Sequence, residues 1–130
     1  MSVNLKTPGV HHVSLRSTNL ERSKKFYEGV LGFPVLLSSP EIVVLGAGST
    51  AVALRAPDAK TPSGDVANPF RPGLDHVALA CENERELERV AAALSQAGVE
   101  NTGVKLDETL GKKYVAFKDP DRIAWEFYMA

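Results

Sequence analysis

The sequence predicts an α+β fold made of two copies of one module, each a strand, a helix and a three-stranded meander. Three observations predict it: a repeated strand motif, a capped helix after each copy, and a repeated hairpin in the second part of each half. The strand motif is "GVHHVSLR" from Gly9 and "GLDHVALA" from Gly73, which place Gly, His, Val and Leu in the same order, with His76 following His12 by 64 positions. Apolar and small residues alternate in both, the period-two pattern of a strand.

The helices follow directly. Asn19 is positioned to cap "LERSKKFYEGVL", with Phe26, Val30 and Leu31 on one face and Gly32 just past its end. In the second half Asn83 and Glu86 have capping-box spacing, "ELERVAAALSQA" follows, and Gly98 ends it. The hairpins complete the repeat. "EIVVLGAGSTAVALRAP" from Glu41 lies without gaps on "KYVAFKDPDRIAWEFYM" from Lys113, 72 positions later, so that Leu54 stands opposite Glu126. The first meander strands are expected at 34–38 and 103–106. The chain thus reads as a single domain over residues 1–130, with modules at about 9–57 and 73–130. The Pro-, Gly- and Asp-rich stretch at about 58–72 reads as a linker or lid-like loop.

Composition narrows the function. With 130 residues, 24% charged residues and a net charge of -1, the chain has the core of a soluble globular protein and no basic footprint for nucleic acid or an anionic membrane. No apolar run approaches the ~20 residues of a membrane span and "MSVNLKTPG" has no signal-peptide pattern, so a cytoplasmic location is expected. The single cysteine, Cys81, cannot form an internal disulfide and reads as a buried thiol.

Strand parity sharpens the two histidines. Side chains at i and i+2 share a face, so His12 stands with Ser14 and Arg16, opposite Val13 and Leu15, the face expected to pack on the helix. His76 stands with Ala78 and Ala80, opposite Val77 and Leu79. On the last strand Ile123, Trp125 and Phe127 form the bulky face, and Glu126 and Tyr128 lie on the other. Two imidazoles and one carboxylate are three donors that leave open positions on a metal, as in catalytic sites. His12, His76 and Glu126 are therefore the candidate ligands of one divalent ion, of the kind Fe2+, Mn2+, Ni2+ or Zn2+. The plainer alternative is a pair of repeated fold residues, relics of duplication.

In order along the chain, "HHVSL", "NLERSKKFYEGVLGF", "DHVAL" and "FKDPDRIAWEF" resemble the vicinal oxygen chelate superfamily, also called the glyoxalase/bleomycin resistance/dioxygenase family. The resemblance covers nearly the whole chain. It implies paired βαβββ modules forming a curved-sheet cup around a divalent metal, a small substrate whose adjacent oxygens chelate that metal, and a homodimer. It places the metal on His12, His76 and Glu126. Departures narrow the activity: Leu54 opposite Glu126 gives no first-module carboxylate, against a four-ligand glyoxalase. The additional histidines and penultimate-strand tyrosine of extradiol dioxygenases are not matched, since that position falls near Ala116. Ser14 matches a hydroxyl residue of fosfomycin-type transferases, but their basic residue beyond the glutamate has no counterpart here.

Other side chains are candidates beside bland readings. Tyr114 shares the ligand-side face and is a candidate proton donor, with Ser14 as the second catalytic candidate. Arg16 and Arg55 lie near strand ends, where they could clamp an anionic substrate, although a solvated surface is their ordinary fate. His11 is read as packing or surface, and Trp125 and Phe26 as core. The expectation is a metal-dependent enzyme acting on a small molecule, with a lean to a dioxygenase because no strong protein base is evident. A glyoxalase-like lyase or isomerase, a fosfomycin-type transferase, and a non-catalytic antibiotic-binding protein are the alternatives. Neither nucleic acid nor membrane is an expected partner.

Overall fold

The first alternating stretch forms β1 (His12–Arg16), and Asn19 caps the helix α1 (Leu20–Lys24) by accepting from Arg22 N at 3.0 Å. In this computed structural model, which describes residues 2–130, α1 continues as a π-helix (Lys25–Val30). Leu31 N donates to Phe26 O at 3.0 Å, five residues back. The wider turn buries the adjacent Phe26 and Tyr27 together, at 8% and 0% exposure, while Val30 is left at 37%. The expected apolar face is thus corrected: Tyr27 replaces Val30, because a π-turn rotates the following residues relative to an α-helix.

The meander follows as β2 (Val35–Ser38), β3 (Ile42–Ala47) and β4 (Thr50–Arg55), giving a sheet ordered β1-β4-β3-β2 with β1 parallel to β4. Val43, Leu45, Val52 and Leu54 are buried on the face that meets the helix. Each fully buried side chain of this size contributes about 1.5–3 kcal/mol, so this face, more than its surface polar contacts, holds the sheet on the helix.

The second unit repeats the plan with β5 (Val77–Cys81), α2 (Glu84–Gln96), β6 (Lys105–Asp107), β7 (Lys112–Lys118) and β8 (Ala124–Met129), ordered β5-β8-β7-β6. Leu87, Ala91 and Leu94 of α2 are buried, as are Val115, Phe117 and Trp125 of the sheet. Asn83 caps α2 by accepting from Glu86 N at 2.8 Å. The Glu86 carboxylate does not return to Asn83 as a capping box would; it accepts from Arg89 Nε at 2.9 Å, and that guanidinium holds the Glu86 pKa below the usual carboxylate range. Cys81 is buried, and burial raises its thiol pKa. No helix of the described residues is long and apolar enough to cross a membrane.

The two compact units divide between Lys60 and Thr61. Much of the connecting stretch therefore belongs to the second unit, where Ala67 N donates to Asp121 O in the β7–β8 turn at 2.9 Å. Gly9 and Gly73, the repeated glycines before the histidine strands, have φ of 126° and 137°, which accounts for glycine at that place in both halves.

Candidate functional site

In the second unit, β5 pairs with β8 so that Ala78 stands beside Glu126. His76 lies just before β5, on the same side of the alternation as Ala78. Its Nε2 is 3.5 Å from Glu126 Oε1. At that distance a hydrogen bond is weak, but two donors each about 2.1 Å from one tetrahedral ion lie about 3.4 Å apart. The pair therefore fits two ligands of a common metal. His76 Nδ1 is 2.7 Å from Asp75 Oδ1. An Nδ1–H donated to Asp75 leaves the Nε2 lone pair turned toward Glu126, the arrangement that orients metal-binding imidazoles. The Glu126 side chain is 19% exposed and that of His76 39%, so the pair is accessible yet partly screened from water.

Tyr128, two residues beyond Glu126, shares its face and donates its hydroxyl to Asp107 Oδ2 at 2.8 Å. Desolvation, followed by the Asp107 hydrogen bond, pushes the phenol pKa up to about 12, and the same bond lowers that of Asp107. Tyr128 therefore acts as a hydrogen-bond donor at neutral pH. Tyr114 pairs with Tyr128 across β7–β8, their rings stacked with centroids 6.2 Å apart. The candidate proton donor is thus half of a stacked pair, on the face that carries Glu126.

In the first unit His12 opens β1 and is exposed, with Nδ1 2.9 Å from His11 Nδ1. One ring nitrogen of that pair donates and the other accepts. His11 is exposed, as a surface residue should be. Ser14 Oγ accepts from Arg55 Nε at 3.3 Å, and Arg16 Nη1 donates to Ala56 O at 2.6 Å. Arg16 is therefore engaged by its own chain, while Ser14 and Arg55 share one exposed patch.

The sheet registers correct the ungapped alignment of the halves. Val13 pairs with Val52 and Ser14 with Ala53, whereas Val77 pairs with Trp125 and Ala78 with Glu126, so Ala53 and not Leu54 is the counterpart of Glu126. The cause is the second hairpin, one residue longer: Lys118 pairs with Ala124, while its counterpart Gly46 pairs with Ala51. The inference survives the correction, since Ala53 also offers no carboxylate.

The structure thus brings His76 and Glu126 together within the second unit and places His12 on the first. Among the described residues no group of three or more His, Cys, Asp or Glu side chains stands where it could hold one metal ion. Sequence reasoning missed Asp75 and Asp107. Asp75 was visible as the acidic neighbour in "GLDH", whereas Asp107 reaches Tyr128 only through the β6–β7–β8 pairing.

A family model of the Glyoxalase/Bleomycin resistance protein/Dioxygenase superfamily matches residues 9–127. An uncharacterized protein of Bacillus subtilis (strain 168), YwkD, is 28% identical over 92% of this chain and 94% of its own length. Among solved structures, a glyoxylase/bleomycin resistance protein/dioxygenase domain from Frankia sp. EAN1pec superposes with a TM-score of 0.82 at 27% identity, covering 96% of this chain and 99% of that one. A glyoxalase family protein from Enterococcus faecalis gives 0.75 at 30% identity, over 93% and 97% of the two chains.

Proposed function

The chain belongs to the Glyoxalase/Bleomycin resistance protein/Dioxygenase superfamily, and from that membership we propose that it is a divalent-metal-dependent enzyme acting on a small molecule with two adjacent oxygens. The observation that carries the reading is the His76–Glu126 pair, 3.5 Å apart with Asp75 on the far imidazole nitrogen. His12, of the same chain or of a second copy in a homodimer, is the third ligand. A bound divalent ion supplies Lewis-acid polarisation of the substrate oxygens and, if it is iron(II), a place for dioxygen.

The chain's own residues do the rest. Asp75 fixes the His76 tautomer, so that Nε2 presents a lone pair. Tyr128, held protonated by Asp107, and Tyr114 stacked on it supply an aromatic wall and hydroxyl groups on the Glu126 face. Ala53 where the second unit has Glu126 leaves the first unit without an equivalent base. That favours a reaction needing no strong protein base, hence a dioxygenase over a proton-shuttling isomerase.

Elemental analysis of anaerobically purified protein tests the reading. About one iron, manganese, nickel or zinc per chain in the wild type, lost in Glu126→Ala, is the expected result. Metal-free wild type that also refuses added divalent ions would overturn it and leave a ligand-binding module without turnover. Mixing His12→Ala with Glu126→Ala protein in equal amounts tests the dimer: if sites are shared between copies, exchange restores one site in each mixed dimer, about a quarter of the metal in all, whereas sites within one chain recover none.

A further inference from the structure

The second unit contains a cavity of about 340 Å³, within the range of small-molecule pockets, between residues 100–102, the end of β7 and the β7–β8 turn. Ala116 and Ala124 line it, both on the Glu126 face: Ala116 is paired with Glu126, and Ala124 precedes it by two positions on the strand. The cavity therefore begins beside the proposed metal ligand. Lys118, two residues beyond Ala116 on that face and so about 7 Å along the strand, is half-buried in its wall, and Arg122 lines it from the turn. Glu100 is the one carboxylate among the lining residues and makes no ion pair with either cation among the described residues, so two cations face the cavity against one carboxylate, while the carboxylates of Asp119 and Asp121 are buried in the turn behind them.

Arg122 is the telling residue. Its φ is +66°, a conformation glycine adopts freely and an arginine adopts at a cost. The turn needs that backbone, because Asp119, buried at its base, accepts through Oδ1 from Asp121 N at 2.9 Å and Ile123 N at 2.8 Å, while its carbonyl accepts from Arg122 N at 2.9 Å. None of those bonds uses the guanidinium. The exposed Arg122 side chain has no hydrogen-bond or ion-pair partner among the described residues, so the fold does not account for it.

We propose that this cavity binds the anionic end of the substrate, a carboxylate or phosphate, with Lys118 and Arg122 as its counter-charges. The inference rests on the metal-site reading, for it places one substrate across the cavity and the His76–Glu126 pair. On the strands between the cavity and Glu126 stand Ala116 and Ala124, whose side chains are only methyl groups, and the planar fork of Arg122 suits a carboxylate or phosphate oxygen pair.

The test uses the full chain stripped of metal in EDTA and titrated calorimetrically with inorganic phosphate and, separately, succinate. Wild type is expected to bind at least one of them, with Arg122→Gly and Lys118→Gln each weakening it at least tenfold and Lys25→Gln, an exposed cation of the first unit, leaving it within twofold. Arg122→Gly keeps the left-handed backbone and so folds. Tighter phosphate points to a phosphate ester, tighter succinate to a carboxylic acid. Equal affinity in wild type and both cation variants, or no binding of either anion by wild type, would overturn the proposal. Wild type that refuses metal yet binds an anion through Arg122 would overturn the metal reading while supporting the anion pocket.

Discussion

The two units share a backbone plan and carry different side chains on their open faces. On the open face of the first, His12, Ser14, Arg16 and Arg55 surround small residues, Ala51 and Ala53, and both formal charges are positive. The corresponding face of the second carries Glu126, Tyr128 and Tyr114, with His76 at its edge. Position by position, His11 stands where Asp75 does, Ala53 where Glu126 does, and Arg55 where Tyr128 does. Both units keep an apolar buried face, on which Val52 and Trp125, at equivalent places, are each at 0% exposure. The open face differs between the units in nearly every polar side chain it carries. The lesson is that a repeat holds its fold residues symmetric and its chemistry asymmetric.

The largest test of that comparison lies on the buried face. Trp125→Ala is expected to cost about 3–5 kcal/mol, and Val52→Ala at the equivalent place about 2 kcal/mol, since the cavity left scales with the side chain removed. Urea denaturation measures both, and equal losses would mean that the units are not packed alike. Next comes Glu126→Ala beside Ala53→Ser: the first should weaken metal binding at least a hundredfold and the second less than twofold, as read by metal competition titration. A smaller change follows for Asp75→Asn. Removing the charge behind His76 should weaken metal binding about tenfold with the fold intact, whereas His11→Asn in the first unit should change it less. Arg122→Gly has the smallest effect, a stabilisation of about 1 kcal/mol from relief of the left-handed backbone; a loss of thermal stability instead would show that the guanidinium supports the turn.

Much of the fold was legible because repeats and caps are local. Asn19 and Asn83 cap their helices as their positions suggest, and the β2 and β6 strands fall within a residue or two of their expected places. The failures have physical causes. The π-turn at Lys25–Val30 leaves no periodic signature in six residues, so Tyr27 was missed and Val30 overvalued as core. The one-residue difference between the hairpins was invisible to an ungapped alignment, because a slip of one still matches apolar with apolar.

The sequence by itself determined the two-module plan, the parity that puts His12, His76 and Glu126 on the faces opposite their helices, and the lack of a carboxylate at the first half's counterpart of Glu126. These follow from periodicities of two and 3.6 residues and from capping, which act within a few positions of the chain. Only the tertiary structure decided that His76 comes within 3.5 Å of Glu126, that Asp107 receives the Tyr128 hydroxyl, and that Lys118 and Arg122 line one cavity. Those juxtapositions depend on the register of β5, β6 and β7 against their neighbours, set by hairpin length and by burial of Trp125. They are contacts between residues up to fifty positions apart, on which no local pattern bears.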